Sequence, residues 1–224
     1  MIQMSFHALG MILIGLLHLV NSLFLSKYMN HLLMHWLLYN RDLRSLRNLA
    51  NFAAANGKKH VVVLSSLEFG RWQSIDMSSG LQIHYLSSSK SDGTDDHCEK
   101  LGWKRLPEYN PTQRMWKHLD DLAKNAASEV EELPFEELGD EDYYASLPYA
   151  ALFSCFKAKG LKVTCLLCYC SEGDNIPDAF HLADAVSKTL GLRPNSSQGN
   201  EGGSWTVPLS WKSVYGPPPD MSLF

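Results

Sequence analysis

The ten residues LKVTCLLCYC at 161–170 constrain this chain more than any other stretch. From Val163 onward almost every side chain is apolar, so neither face of a strand here can look onto water. Such a strand belongs inside a sheet covered on both sides. A second short run, HVVVLSS at 60–66, has the same character, with β-branched residues leading. Helical spacing precedes each run. Before the first, Leu43, Leu46, Leu49, Ala50 and Ala53 share one face over residues 43–56, with Asp42 at the cap position and Gly57 as the stop. Before the second, a helix predicted from Ser146 to Phe156 carries Pro148 in its first turn, and Gly160 ends it. Helix alternating with buried strand predicts an α/β fold: a mostly parallel sheet flanked by helices, in a single domain.

Other stretches fill in this frame. GLQIHYLSSS at 80–89 alternates Leu81, Ile83 and Tyr85 with Gln82 and His84, the pattern of a half-buried strand at an edge. Residues 88–98 are polar and turn-rich, which predicts a surface loop. PTQRMWKHLDDLAKNAA at 111–127 reads as an amphipathic helix with Pro111 near its start and Met115, Leu119, Leu122 and Ala126 facing inward. Eight carboxylates and no cation lie between Glu129 and Asp142, the composition of a solvated belt.

The chain divides into three parts. Residues 1–41 form a hydrophobic segment whose one cation before Arg41 is Lys27, with an uncharged apolar run over residues 8–25. That run stands at the short limit of a membrane span and lacks the flanks of a signal peptide. It reads either as an altered or non-native amino-terminal end or as an anchor. Residues 42–193 carry the α/β domain. Residues 194–224 form a linker and a tail in which Trp205, Val207, Leu209 and Trp211 alternate, the pattern of a segment that docks back on the body.

The stretch SEGDNIPDAF at 171–180 sits where the second strand empties into a helix, the place at which α/β sheets bind ligands. Nearly every side chain in it nevertheless has a structural use. Gly173 permits a turn, Asp174 or Asn175 can cap free amides, Pro177 suits a first helical turn, and Asp178 complements the positive end of the helix dipole. The next helix shows Ala179, Phe180, Ala183, Val186 and Leu190 on one face and closes at Gly191 and Pro194.

Several kinds of chemistry are disfavoured. With 20 basic against 24 acidic residues and no basic stripe, the chain lacks what nucleic-acid binding requires. The five cysteines, Cys98, Cys155, Cys165, Cys168 and Cys170, are odd in number and lie mostly in predicted core, which points to a reducing compartment. Cys165 and Cys168 stand three apart on a strand, so they face opposite sides and share no metal. Ser65 and Ser66 end a buried strand but lack the glycines of a nucleophile elbow. No cofactor loop or metal signature is present, so no catalytic residue, cofactor or metal ligand is assigned.

SEGDNIPDA after an apolar strand, with a helix and then Trp205, Val207, Pro208, Ser210, Trp211 and Lys212 behind it, closely resembles the proteasome assembly chaperone 2 family. NLANFAAANGKKHVVVLSSLEFGR at 48–71 resembles its plant-type members, and the likeness covers residues 43–224. The resemblance implies a non-enzymatic chaperone of 20S proteasome assembly in cytoplasm and nucleus. It would form a heterodimer with proteasome assembly chaperone 1, act on proteasome α subunits, promote α-ring formation and need no cofactor. Relatives open with strands that residues 1–40 do not resemble, so the family's amino-terminal strands are expected to be missing. Related chaperones end in a hydrophobic-Tyr-any motif. Leu223 stands in place of the tyrosine, and the resemblance offers Leu223 and Phe224, with Trp205 and Trp211, as partner contacts. Two other readings stay open: an α/β hydrolase- or phosphorylase-like enzyme using Ser65 or Asp174, and a membrane-anchored interaction protein.

Overall fold

The computed structural model describes residues 43–71, 83–125, 139, 142–170 and 176–191. Its elements in chain order are α1 (Leu43–Ala55), β1 (His60–Glu68), β2 (Ile83–Ser87), α2 (Asp96–Lys100), β3 (Lys104–Arg105), α3 (Arg114–Lys124), α4 (Tyr143–Ser146), α5 (Pro148–Ala158), β4 (Lys162–Cys170) and α6 (Ile176–Thr189). The strands form one sheet in the order β1-β4-β2-β3. β1 runs parallel to β4 in a register that starts at His60 opposite Lys162, and β2 runs parallel to β3. The β2–β4 pairing is antiparallel, with Tyr85 opposite Leu166. The expected α/β architecture is therefore present, and the sheet is mixed, with two of its three pairings parallel.

The two helix-to-strand units close in the same way. At the end of α5, the Gly160 N–H donates to the Lys157 carbonyl and the Leu161 N–H to the Phe156 carbonyl. That pair of bonds ends a helix when the residue between them is left-handed, and Gly160 has φ of 72°. α1 ends in the matching way: the Gly57 N–H donates to the Ala54 carbonyl and the Lys58 N–H to the Ala53 carbonyl. β1 and β4 thus begin side by side, joined by a bond from the Lys162 N–H to the Lys59 carbonyl.

β4 separates two apolar layers. Val163, Cys165, Leu167 and Tyr169 point into the larger one, with Leu43, Leu46 and Ala50 of α1, Met115, Trp116 and Leu119 of α3, and Leu152, Phe153 and Phe156 of α5. Tyr109, Trp116 and Phe153 meet edge to face there, their ring centroids 4.8 to 6.3 Å apart. Asp120 ties α3 to α5 by accepting from Ser154 Oγ and Lys157 Nζ, both at 2.8 Å. Leu166, Cys168 and Cys170 point the other way, to Leu182, Ala185 and Val186 of α6 and to Cys98 of α2. Cys165 and Cys168 therefore lie in different layers, as strand alternation requires, and all five cysteines are buried free thiols.

Five expectations are corrected. The stretch predicted as a half-buried edge strand is an interior one: β2 covers only Ile83–Ser87, and all five residues are buried between β4 and β3. Its polar residues are accommodated by partners, His84 edge to face on Tyr169 and Ser87 against Asp95. The predicted surface loop at 88–98 instead turns inward at Asp95 to start α2, and Cys98 is buried. Ser146 ends α4 rather than opening the next helix, because Pro148 holds the preceding Leu147 extended, so α5 starts at the proline itself. α3 begins at Arg114, three residues after Pro111, since Asn110 first makes a local turn by accepting from the Thr112 N–H and hydroxyl. Leu190 is 49% exposed at the end of α6 instead of facing the core. In the acidic belt, Asp142 is buried and receives the Gln113 amide at 3.5 Å. Most of the belt lies outside the described residues, as do Asp42, Ala126 and residues 8–25. Among the described residues no helix is long and apolar enough to cross a membrane.

Candidate functional site

The carboxyl ends of β1 and β4 are the natural place for a site, since both strands finish there and SEGDNIPDAF comes directly after. Gly173, Asp174 and Asn175 lie outside the described residues. Pro177 and Asp178 stand in the first turn of α6, as the sequence predicted. Asp178 also reaches back to β4: a thiol bond with Cys168, burial, and then the charge of and a bond to Asp178 all push the Cys170 thiol upward.

Tyrosines dominate this end of the sheet. The hydroxyls of Tyr144 and Tyr169 are 2.9 Å apart, buried between α4 and β4. Burial, the bond to Tyr144 and the charge of Glu108 raise Tyr169 well above an ordinary phenol. Tyr149 of α5 is fully buried and raised by that burial, with Cys165, Tyr144, Glu108 and Tyr169 adding to the effect. Nearer the surface, the Tyr143 hydroxyl donates to Glu68 Oε2 at 3.5 Å, and Tyr143 stacks edge to face on Tyr144. Every shift in this group favours the neutral form. Thiolate and phenolate nucleophiles need the opposite environment. The other thiols behave alike: burial pushes Cys155 to about 11 and Cys98 to about 12, and raises Cys165 further.

Ser65, the alternative nucleophile, donates to the Ser66 carbonyl at 3.4 Å, a weak local bond that leaves it aimed at backbone rather than at a base. Among the described residues no cluster of three or more His, Cys, Asp or Glu side chains could hold a metal.

The strongest polar node lies at the other end of β4 and was not assigned from sequence. Asp95, only 4% exposed, accepts from Ser89 Oγ at 2.6 Å, from Ser87 Oγ and the His97 N–H at 2.9 Å each, and from Lys162 Nζ at 2.9 Å. Burial alone works against its charge, yet these donors hold the carboxyl below the usual carboxylate range. The Asp95 N–H in turn donates to the Tyr85 hydroxyl at 3.2 Å. His60 lies beside the node, its Nε2 2.9 Å from Thr164 Oγ1, and burial followed by the Lys162 charge depresses its pKa. The node fastens β2, α2 and the start of β4 together. Its one local signal is a cap: Asp95 precedes a short helix and accepts from its second amide. Lys162, 67 residues away, carries no such signal.

Leu223, Phe224, Trp205 and Trp211, the partner contacts offered by the resemblance, all lie outside the described residues.

The chain matches no family profile. Among curated proteins it is 29% identical over 147 residues to proteasome assembly chaperone 2 of Danio rerio, covering 62% of this chain and 54% of that protein. It is 41% identical over 56 residues to the Xenopus tropicalis protein of the same name, covering 25% and 21%. Against the Homo sapiens protein of that name identity is 23% over 176 residues, covering 75% and 57%. The chain spans about half the length of the curated relatives it matches over their longer alignments.

Proposed function

We propose that this chain, similar at 23–41% identity over 25–75% of its length to proteasome assembly chaperone 2 proteins, is a member of that family and acts as a non-enzymatic chaperone in assembly of the 20S proteasome. The observation that carries this reading is the alignment with the human protein over 75% of the chain. In that role it pairs with proteasome assembly chaperone 1 as a heterodimer, engages proteasome α subunits and promotes formation of the α ring in cytoplasm and nucleus. The sheet end supports the reading from a different side: its thiols and phenols are held neutral, which suits packing better than chemistry. Leu223 and Phe224 supply the contact with α subunits.

Affinity purification of the tagged chain from cells tests the proposal. Recovery of proteasome assembly chaperone 1 together with α subunits is the expected result, and recovery of neither overturns it. Removing Leu223 and Phe224 should lower recovery of α subunits while leaving the sister chaperone bound; unchanged recovery of both would rule out the tail as the contact.

A further inference from the structure

The outer edge of β1 is built as an interior strand. Sheet edges in natural proteins are blunted by charge, proline, a bulge or short length. The edge at β3 obeys this rule, being two residues long with Lys104 and Arg105. β1 does not. It is nine residues long, and VVVLSSL between His60 and Glu68 holds no charge and no proline. Among the described residues it pairs only with β4. Val61, Val62 and Leu64 are apolar yet only half-buried, whereas Val63 and Leu67 are fully covered.

Topology says which part of the chain arrives there. α5 leads into β4 across the face that holds the larger core, and α6 leaves β4 across the opposite face. β1 and β4 are parallel neighbours, and the last element between them is α5. Right-handed crossovers over opposite faces carry the chain in opposite lateral directions, so the one over α6 moves from β4 toward β1 and beyond it. α6 starts beside the end of β4, with Asp178 against Cys170, and its 14 residues return the chain about 20 Å toward the His60 end. The next twelve residues, 192–203, span up to about 40 Å when extended. Beyond them comes Trp205-Thr206-Val207-Pro208-Leu209-Ser210-Trp211, whose period of two is that of a strand. Pro208 has no N–H to give and suits only an outermost strand, with its nitrogen turned away from the neighbour. Were the segment a strand, Thr206 and Ser210 would share that outward side, and residues 205, 207, 209 and 211 would offer their backbone groups inward.

We propose that residues 205–211 add to the outer edge of β1 as a fifth strand, parallel to it, closing the sheet with a proline-bearing edge. This is independent of the chaperone reading.

Hydrogen–deuterium exchange of β1 in the full chain tests it through two proline substitutions. Val207→Pro removes an N–H on the inward side and is expected to speed exchange of the β1 amides that do not bond to β4 by about tenfold or more. Ser210→Pro removes one on the outward side and is expected to leave them unchanged. A chain ending at residue 203 should show the fast pattern, and adding a synthetic peptide of residues 204–212 should restore slow exchange. Equal β1 exchange in the parent, Val207→Pro and Ser210→Pro chains overturns the proposal. So does β1 protection that rises with protein concentration alongside dimer formation, which would make a second copy the occupant. Protection lost on deleting residues 1–42 while the 204–212 segment is intact would overturn it as well.

Discussion

Asp95→Ala removes the acceptor on which one end of the sheet converges. Ser87 Oγ is buried; without its 2.9 Å acceptor it keeps Ser89, whose Oγ lies 3.0 Å away and whose N–H donates to it at 3.3 Å, so the lost bond costs about 0.5–1.5 kcal/mol. Loss of the cap to the His97 N–H costs about 1 kcal/mol. Lys162 is 41% exposed and recovers solvation, so its ion pair adds about 0–1 kcal/mol. A net loss of about 2 kcal/mol is expected, since these terms overlap at one carboxylate. Asp95→Asn keeps the cap and the shape but not the charge, and about 1–2 kcal/mol is expected. The pH dependence separates charge from shape. The folded-state pKa of Asp95 lies below its ordinary value, so its stabilisation is complete above about pH 4 and is lost as pH falls through the folded value. The gap between parent and Asp95→Asn should therefore be widest near neutrality and shrink steadily in acid. Urea unfolding followed by tryptophan fluorescence at neutral pH and again near pH 3 measures both quantities. An Asp95→Ala loss under about 0.5 kcal/mol, or a parent-to-Asn gap that ignores pH, would show that the carboxylate does not hold this end of the sheet.

Four further sites test the core. Gly93 has φ of 85°, and a Cβ there would stand 2.7 Å from Tyr109 Cδ1 and 2.8 Å from Leu86 Cδ1, so Gly93→Ala should lower stability by about 1–3 kcal/mol in urea titration. Phe153→Ala empties a site between Tyr109 and Trp116 and should remove about 3–5 kcal/mol, read as a lower urea midpoint. The two buried tyrosines should behave differently in thermal melts. Tyr169→Phe strips Tyr144 of its 2.9 Å partner and should lower stability by about 1 kcal/mol. Tyr149→Phe removes a buried hydroxyl that has no hydrogen-bond partner among the described residues, and should leave stability unchanged or raise it.

What could be read from sequence was what repeats locally. Leu43, Leu46 and Ala50 show their helical period, and β4 shows its burial in every residue after Lys162, so these elements and the opposite facing of Cys165 and Cys168 were legible. β2 misled because His84 and Ser87 look like solvent residues when their partners, Tyr169 and Asp95, cannot be seen. The loop at 88–98 misled for the same reason: its polarity serves an inward carboxylate whose cation, Lys162, arrives from β4. Ser146 is a good cap residue by type, but Pro148 acts on the backbone before it and decides the boundary. Pro177 and Asp178 fall where the helix-start rules put them, while the rest of the turn and the tail lie beyond the described residues.

If this chain works by pairing with a sister chaperone, the two must associate without other factors. Mixing it with purified proteasome assembly chaperone 1 and measuring the mass of the product by sedimentation puts that to the test. A one-to-one complex that then retains proteasome α subunits is expected. Two species that sediment separately at every mixing ratio, with both proteins folded, would contradict it.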